Sequence, residues 1–312
     1  VLNILFLLVF KKGIKGYLKA YIIANALTAI YAIIVGKGYR SFSFSEIDKK
    51  LLHRMVKYSV VLIPNSFMWW IMNSSDRIMV SSMIGVAANG IYAVSYKLPT
   101  LVSTLTTIFN QAWSYSAIRE EGTSDESEYN NRVFKTLIGI VMLIGIGLVT
   151  FMKPFLSIYV AKEYYIAWKY TPFLTIGCVY LTMASFMATS YTVHKDSFGY
   201  LFSGMFGAAF NIAMNFVLIP LIGVFGAAIA TCISYILVFV FRLFHTRKYI
   251  QYNIKNKEFL WGSLILLLSA CLMFVNNWIG FVLQCVLLLI AICLFSNTWY
   301  PMVKKVLKFK GR

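Results

Sequence analysis

Acidic residues are scarce in this chain. Eleven Asp and Glu stand against 29 Lys and Arg in 312 residues, and charge of either sign makes up only 13%. A soluble domain carries about 25%, so a fold of this length would have to leave much apolar surface in water. Histidine numbers three, with no His-Glu-x-x-His, and no Cys-x-x-Cys occurs, which argues against a metal or nucleophilic site. The five cysteines, Cys178, Cys232, Cys271, Cys285 and Cys293, all fall inside apolar runs and read as packing residues. No dinucleotide fingerprint and no P-loop occurs, and no connection exceeds about twenty residues, so the chain has no room for a soluble catalytic domain. What is present is apolar: 60% hydrophobic and 17% aromatic residues, with a mean hydropathy of +0.73. The class is an all-α membrane protein.

Apolar runs separated by polar breaks predict a short segment over 1–10 and nine full spans at 17–35, 58–84, 87–113, 133–151, 167–193, 200–221, 224–243, 259–275 and 278–294. Val1 opens directly into an apolar run without a charged leader, so the chain is expected to be a fragment severed inside a helix. Between 36 and 57, Ser45-Glu46-Ile47-Asp48 resembles a capping box. Ile47, Leu51, Leu52, Met55 and Val56 then form one stripe, with Lys49, Lys50, Arg54 and Lys57 elsewhere. This is the pattern of a basic amphipathic helix at a membrane surface. The acidic stretch 114–132 reads as a solvated loop.

The net charge of +18 suggests nucleic acid on a soluble protein. Here the alternating connections hold twenty Lys and Arg on one side and seven on the other. The richer side is therefore expected to be cytoplasmic, with the C-terminus inside and no nucleic-acid partner.

An internal repeat is also visible. An Asn-bearing apolar run leads to Gly13-Ile14-Lys15-Gly16 and a new span, and Asn215 leads likewise to Gly223-Val224-Phe225-Gly226. The unit would be six helices, with both units entering from the same side. Two unrelated hairpins with small-residue turns would look the same over so short a match.

Few ionisable groups fall within the spans. Asp76 and Arg77 lie in Asn73-Ser74-Ser75-Asp76-Arg77, and Lys97 in Tyr96-Lys97-Leu98-Pro99. At 1.5 Å per residue, Lys97 would lie roughly 15–18 Å in from the outer turn, near mid-membrane. A charge there costs about 2.5–3.5 kcal/mol unless it faces a wet cavity or a partner. An Asp76 ion pair with Arg77 or Lys97 would serve packing alone; a cationic cavity would receive an anionic substrate. Pro64 and Pro99 invite kinks in the same two spans, where Asn65, Asn73 and Gln111 supply polar groups. Trp69 and Trp70 lie about 18 Å from Lys57, so they either pack in the core or stack on a sugar.

The stretch Leu62-Ile63-Pro64-Asn65, Ser74-Ser75-Asp76-Arg77, Asn89-Gly90-Ile91-Tyr92 and Tyr96-Lys97 resembles the seventh and eighth helices of bacterial polysaccharide transporters. These are the repeat-unit flippases of O-antigen, capsule and exopolysaccharide synthesis, in the superfamily that includes multidrug antiporters and lipid II flippases. Phe109-Asn110-Gln111-Ala112-Trp113-Ser114 and the segment from Asn215 to Ala228 are similar to later family patterns. Tyr115 departs from them, standing where the family often has proline.

The resemblance implies a polytopic bundle of two six-helix lobes with two further C-terminal helices, the first lobe mostly missing here. In that scheme 1–35 ends the first lobe, 36–57 is the cytoplasmic linker helix, 58–244 is the second lobe, and 245–312 holds the extra helices and a basic tail. It implies a non-enzymatic flippase of undecaprenyl-pyrophosphate-linked oligosaccharide in the bacterial cytoplasmic membrane. Arg77 and Lys97 would meet the pyrophosphate; Asn65, Trp69, Trp70, Asn73 and Gln111 would meet the sugars. Asp76 would bind a coupling cation or neutralise Arg77. No cofactor is implied, apart from coupling to a proton or sodium gradient. The expected partners are membrane lipids, the lipid-linked oligosaccharide, and the polymerase and glycosyltransferases of the pathway. A cation-coupled drug antiporter and a membrane polymerase or glycosyltransferase are the alternatives.

Overall fold

In the computed structural model, residues 2–10, 13–37, 48–275, 277–301 and 304 are described. The expected Ser45–Ile47 helix start, Lys11, Lys12 and most of the basic tail lie outside them. The chain divides into two compact units, Val1–Lys57 and Tyr58–Arg312, and among the described residues every regular element is helical. The protein is a polytopic helical membrane protein.

In the first unit, α1 (Leu2–Ile4) continues as a π-helical turn over Leu5–Val9, and α2 spans Gly13–Val35. The second unit is built from α3 (Lys49–Met83, which begins before the unit boundary), α4 (Val86–Ser95), α5 (Pro99–Glu120), α6 (Glu126–Tyr159), α7 (Thr171–Val193), α8 (Ser197–Ile222), α9 (Val224–His245), α10 (Lys257–Leu272) and α11 (Trp278–Leu294). Five of these helices, α2, α6, α7, α8 and α9, are long and apolar enough to cross a membrane. That is fewer than the nine full spans predicted from apolar runs, for identifiable reasons. In α3 the run is interrupted by Asn73-Ser74-Ser75-Asp76-Arg77, while α10 and α11 are only 16 and 17 residues long.

The predicted span 87–113 is two helices. Tyr96, Lys97 and Leu98 form a turn between α4 and α5, with Pro99 as the first residue of α5. Proline has no N–H to donate back into the preceding turn, and its ring crowds it. The Lys97 carbonyl instead accepts the Thr100 hydroxyl at 2.6 Å. The amphipathic stretch from Lys49 to Lys57 is helical and forms the first turns of α3.

Helix α7 is the axis of the second unit. It packs against α5, α6 and α9, and α9 in turn packs along α8. The approach of α9 depends on Gly177, where a Cβ would lie 3.1 Å from Cys232 Cα and 3.2 Å from the Tyr235 ring. Small residues allow this proximity where the surrounding lipid is as apolar as the helices themselves. Trp113, Phe134 and Phe186 stack at 5.0 and 5.3 Å between centroids and join α5, α6 and α7. Buried Thr171, Thr175 and Thr182 return their hydroxyls to carbonyls four residues back, so none adds an unmet group to the bilayer core. Cys178 and Cys232 are buried thiols, whereas Cys271 and Cys293 are exposed on their helices.

The first glycine of each Gly-x-x-Gly has a positive φ. Gly13 opens α2 with φ +52°, and Gly223 precedes α9 with φ +63°, a region that suits glycine because it has no Cβ. In each turn the second glycine, Gly16 or Gly226, is buried.

Two stability predictions follow from this packing. Gly177→Val would force α9 away from α7 and should cost about 1–3 kcal/mol, read as a lowered thermal midpoint of the full-length protein in detergent. Asp196 caps α8 by accepting the Gly199 N–H at 2.8 Å, and also binds Lys248 Nζ at 2.8 Å and the Tyr249 hydroxyl at 2.9 Å. Burial pushes its carboxyl pKa upward, but these donors outweigh burial and hold it below the ordinary value. Its charge therefore stabilises the fold above the unfolded pKa of about 3.9, and the gain is lost as pH falls through the lower folded value. Asp196→Ala should cost about 0.5–2 kcal/mol at pH 7, and its deficit against wild type should narrow below about pH 4.

Candidate functional site

Helical spacing puts Trp69, Asn73 and Arg77 in line on one face of α3, and Ser103, Thr106, Thr107 and Asn110 on one face of α5. Between these faces lies a cavity of about 270 Å³, completed by Leu181, Thr182 and Ser185 of α7 and Tyr200 of α8. Every lining side chain except Leu181 carries a hydroxyl, an amide or an indole N–H. Two of their buried atoms, Trp69 Nε1 and Asn110 Oδ1, have no hydrogen-bond partner. A buried polar group left in this way costs about 1–3 kcal/mol; Trp69 Nε1 lies behind the wall, against Gly204 together with Asn65 Oδ1. Thr106 and Thr182 already share a hydroxyl contact at 2.7 Å.

On another face of α3, Asp76 is fully buried. Its Oδ2 accepts the Tyr92 hydroxyl at 2.7 Å, and the Tyr96 and Thr231 hydroxyls at 3.3 Å each. Its Oδ1 accepts the Arg77 backbone N–H at 2.8 Å. The network runs on through Asn211, which donates to Thr231 at 3.3 Å and accepts from Ser75 at 2.8 Å and Asn215 at 3.0 Å. Asn215 Oδ1 is buried without a partner. The cluster places three hydroxyl oxygens around one carboxylate, the kind of hard oxygen donor that a cation or a proton takes. The ion pair weighed from the sequence is not formed: the Arg77 guanidinium lies over the Tyr96 ring, 5.2 Å from its centroid, and no salt bridge joins Asp76 to Arg77 or Lys97 among the described residues.

The residues singled out from the sequence are thus dispersed. Trp69 and Asn73 line the cavity. Asn73 also connects it to the core, donating to the Trp69 carbonyl at 2.7 Å and accepting the Tyr235 hydroxyl at 3.2 Å. Arg77 follows on the same face, about 6 Å beyond Asn73 along the axis, with an exposed side chain. Lys97 is exposed at the α4–α5 turn. Asn65 is buried beside Gly204, its Oδ1 unpartnered. Trp70 departs from expectation: it is 57% exposed and stacks on Phe67 at 5.9 Å, away from the cavity. Gln111 is exposed and does not line the cavity either, since its neighbour Asn110 occupies the inward position.

One residue escaped the sequence reading. Among the described residues Arg242 is the largest fully buried side chain, with its guanidinium 5.1 Å from the Trp69 ring centroid and 5.4 Å from that of Tyr200. Counting it among cytoplasmic charges obscured the one available signal, its position inside the apolar run 224–243.

Residues 1–115 match a family model described as polysaccharide biosynthesis protein. No curated protein matches the chain significantly. Among solved structures, the lipid II flippase MurJ in an inward closed conformation aligns with 97% of this chain and 66% of its own, at 17% identity and a TM-score of 0.63. An outward-facing MATE-family multidrug resistance transporter of the MOP superfamily aligns with 70% of this chain and 52% of its own, at 20% identity and a TM-score of 0.53. A MOP-superfamily transporter from Pyrococcus furiosus, described as having a binding pocket of reversed polarity, gives the same coverage and identity with a TM-score of 0.51. The chain spans about half to two thirds of the length of these structures. It therefore carries the polysaccharide biosynthesis protein signature over residues 1–115, on the helical fold that MATE transporters share with the lipid II flippase.

Proposed function

We propose that the protein acts as a flippase, moving undecaprenyl-pyrophosphate-linked oligosaccharide from the inner to the outer leaflet of the bacterial cytoplasmic membrane. The observation that carries this reading is the cavity between α3, α5, α7 and α8, whose walls present hydroxyl and amide groups beside the Trp69 ring. Sugars carry hydroxyls that both donate and accept, and their apolar faces stack on rings such as Trp69. Among the described residues no carboxylate lines the cavity, which favours this substrate over the organic cations of a drug antiporter.

Arg77 and Lys97 are the groups for the pyrophosphate, because phosphate oxygens are recognised by guanidinium and ammonium donors. Arg77 lies on the Trp69–Asn73 face of α3, so linkage and sugar would be held by successive turns of one helix. Transport would proceed by rocking this six-helix lobe against the other, with the lipid tail remaining in the bilayer. The Asp76 network is the seat of a coupling cation, sodium or proton, for which its buried oxygens and the unmet Asn215 Oδ1 fit. The C-terminus faces the cytoplasm on this reading, as the Lys and Arg distribution supports. The polymerase and glycosyltransferases of the pathway are its functional partners.

In the full-length protein, Arg77→Ala and Lys97→Ala should each abolish surface polysaccharide while membrane protein levels stay unchanged. Normal surface polymer in both variants would overturn the assignment of the cations. Asp76→Asn keeps a hydrogen-bonding side chain and removes the charge; flipping in proteoliposomes should then lose its response to an imposed sodium or proton gradient. An undiminished response would remove Asp76 from coupling.

A further inference from the structure

A second cavity, of about 200 Å³, lies where α6 meets the closed end of the α10–α11 hairpin. Its walls include Lys153 of α6, Leu272 and Met273 at the end of α10, and Asn277, Phe281 and Gln284 in the first turns of α11. Lys153 is half-buried, with its Nζ 4.1 Å from the Trp168 ring centroid. Gln284 is buried, and its Nε2 donates to the Ser269 carbonyl at 2.8 Å. Among the described residues no carboxylate lines this cavity. The adjoining connection from α6 to α7 carries two more cations, Lys162 and Lys169, against the single acid Glu163.

The length of the hairpin decides what reaches this cavity. Helices α10 and α11 have 16 and 17 residues, so at 1.5 Å per residue they are about 24 and 26 Å long. The hydrocarbon core of a bilayer is about 30 Å thick. A hairpin shorter than that thins the bilayer beside it and draws lipid headgroups inward. The cavity sits at the end of the hairpin, so those headgroups come to Lys153. The start of α11 adds to the positive potential there, because its N-cap Asn277 makes no side-chain cap hydrogen bond and leaves the first-turn N–H groups to other acceptors. Leu272, Met273 and Phe281 give the same cavity an apolar wall, which a lipid requires and a free anion does not. On the topology proposed above this end faces the outer leaflet, where lysine has no topological role.

We propose that this cavity is a binding site for the phosphate of an anionic bilayer phospholipid such as phosphatidylglycerol. Lys153 holds the phosphate oxygens by a charge-assisted hydrogen bond, and the chains run down the apolar wall between α6 and the hairpin. The bound lipid ties α10 and α11 to the six-helix lobe at the end where they are too short to reach the headgroups. Basic pockets between transmembrane helices hold anionic headgroups elsewhere by the same electrostatics. The site is separate from the cavity between α3, α5, α7 and α8 and does not depend on what the protein transports.

The test uses the purified, delipidated full-length protein in detergent, with bound lipid counted by native mass spectrometry. Three probes are titrated: phosphatidylglycerol, diacylglycerol with the same chains, and undecaprenyl phosphate. Wild type should bind phosphatidylglycerol about fivefold more tightly than diacylglycerol, the effect of one lysine at a lipid phosphate. Lys153→Gln should bring the two within about twofold of each other, and Lys153→Arg should keep the preference. Lys162→Gln, which alters a cation outside the cavity wall, should keep it as well. Asn277→Asp separates lost binding from lost folding. Asp and Asn are comparable N-caps, so the thermal midpoint should hold, while the new carboxylate should repel the phosphate and erase the preference. A preference that survives Lys153→Gln or Asn277→Asp would overturn the proposal, as would equal wild-type affinity for phosphatidylglycerol and diacylglycerol. Equal weakening of all three probes in Lys153→Gln would make the lysine structural and overturn it too. Tighter, Lys153-dependent binding of undecaprenyl phosphate would give the cavity to the carrier lipid and overturn the phospholipid assignment.

Discussion

The Asp76 carboxylate is the interaction on which the second unit depends. In a bilayer core, water is not available to solvate a buried acid, so the protein must supply every donor. It does so from α4 through Tyr92, from the α4–α5 turn through Tyr96, and from α9 through Thr231. Asn211 of α8 joins through Thr231. Four chain segments are thus tied to α3 through one hydrogen-bonded network. The aromatic stack of Trp113, Phe134 and Phe186 and the close contact at Gly177 secure the other helices, but they tolerate sliding in a way that a buried carboxylate does not.

Helix α3 then divides the unit into two environments. On one face, the acid is saturated by tyrosine and threonine hydroxyls. On the other, Trp69 and Asn73 front a cavity lined by hydroxyl and amide groups. Asn73 belongs to both, since it lines the cavity and accepts from Tyr235 in the core.

Most of the helical organisation was legible in the amino-acid sequence, because apolar runs bounded by charge are set by bilayer thickness and little else. Helices α8 and α9 begin and end within three residues of the predicted runs. Asp76, Arg77 and Lys97 stood out for the same reason, as charges in apolar surroundings. The break at Tyr96–Leu98 was only half visible: Pro99 signalled a kink, but the hydropathy of the run continued through it. Which face of a helix points inward was not legible. Trp70 and Gln111 are chemically as suitable as Trp69 and Asn110, and only a rotation of about 100° per residue separates lining the cavity from leaving it. Arg242 was hidden by a rule that is correct on average. Charges at span ends mark the cytoplasmic side, and nothing in one sequence distinguishes the one that turns inward.

Tyr96 has a double attachment with mechanical meaning. Its hydroxyl bonds Asp76, and the face of its ring carries the Arg77 guanidinium. The ring sits at the turn that Pro99 breaks, where the backbone is not locked into a continuous helix. Whatever alters the carboxylate therefore alters the seat of the neighbouring cation through one rigid six-membered lever.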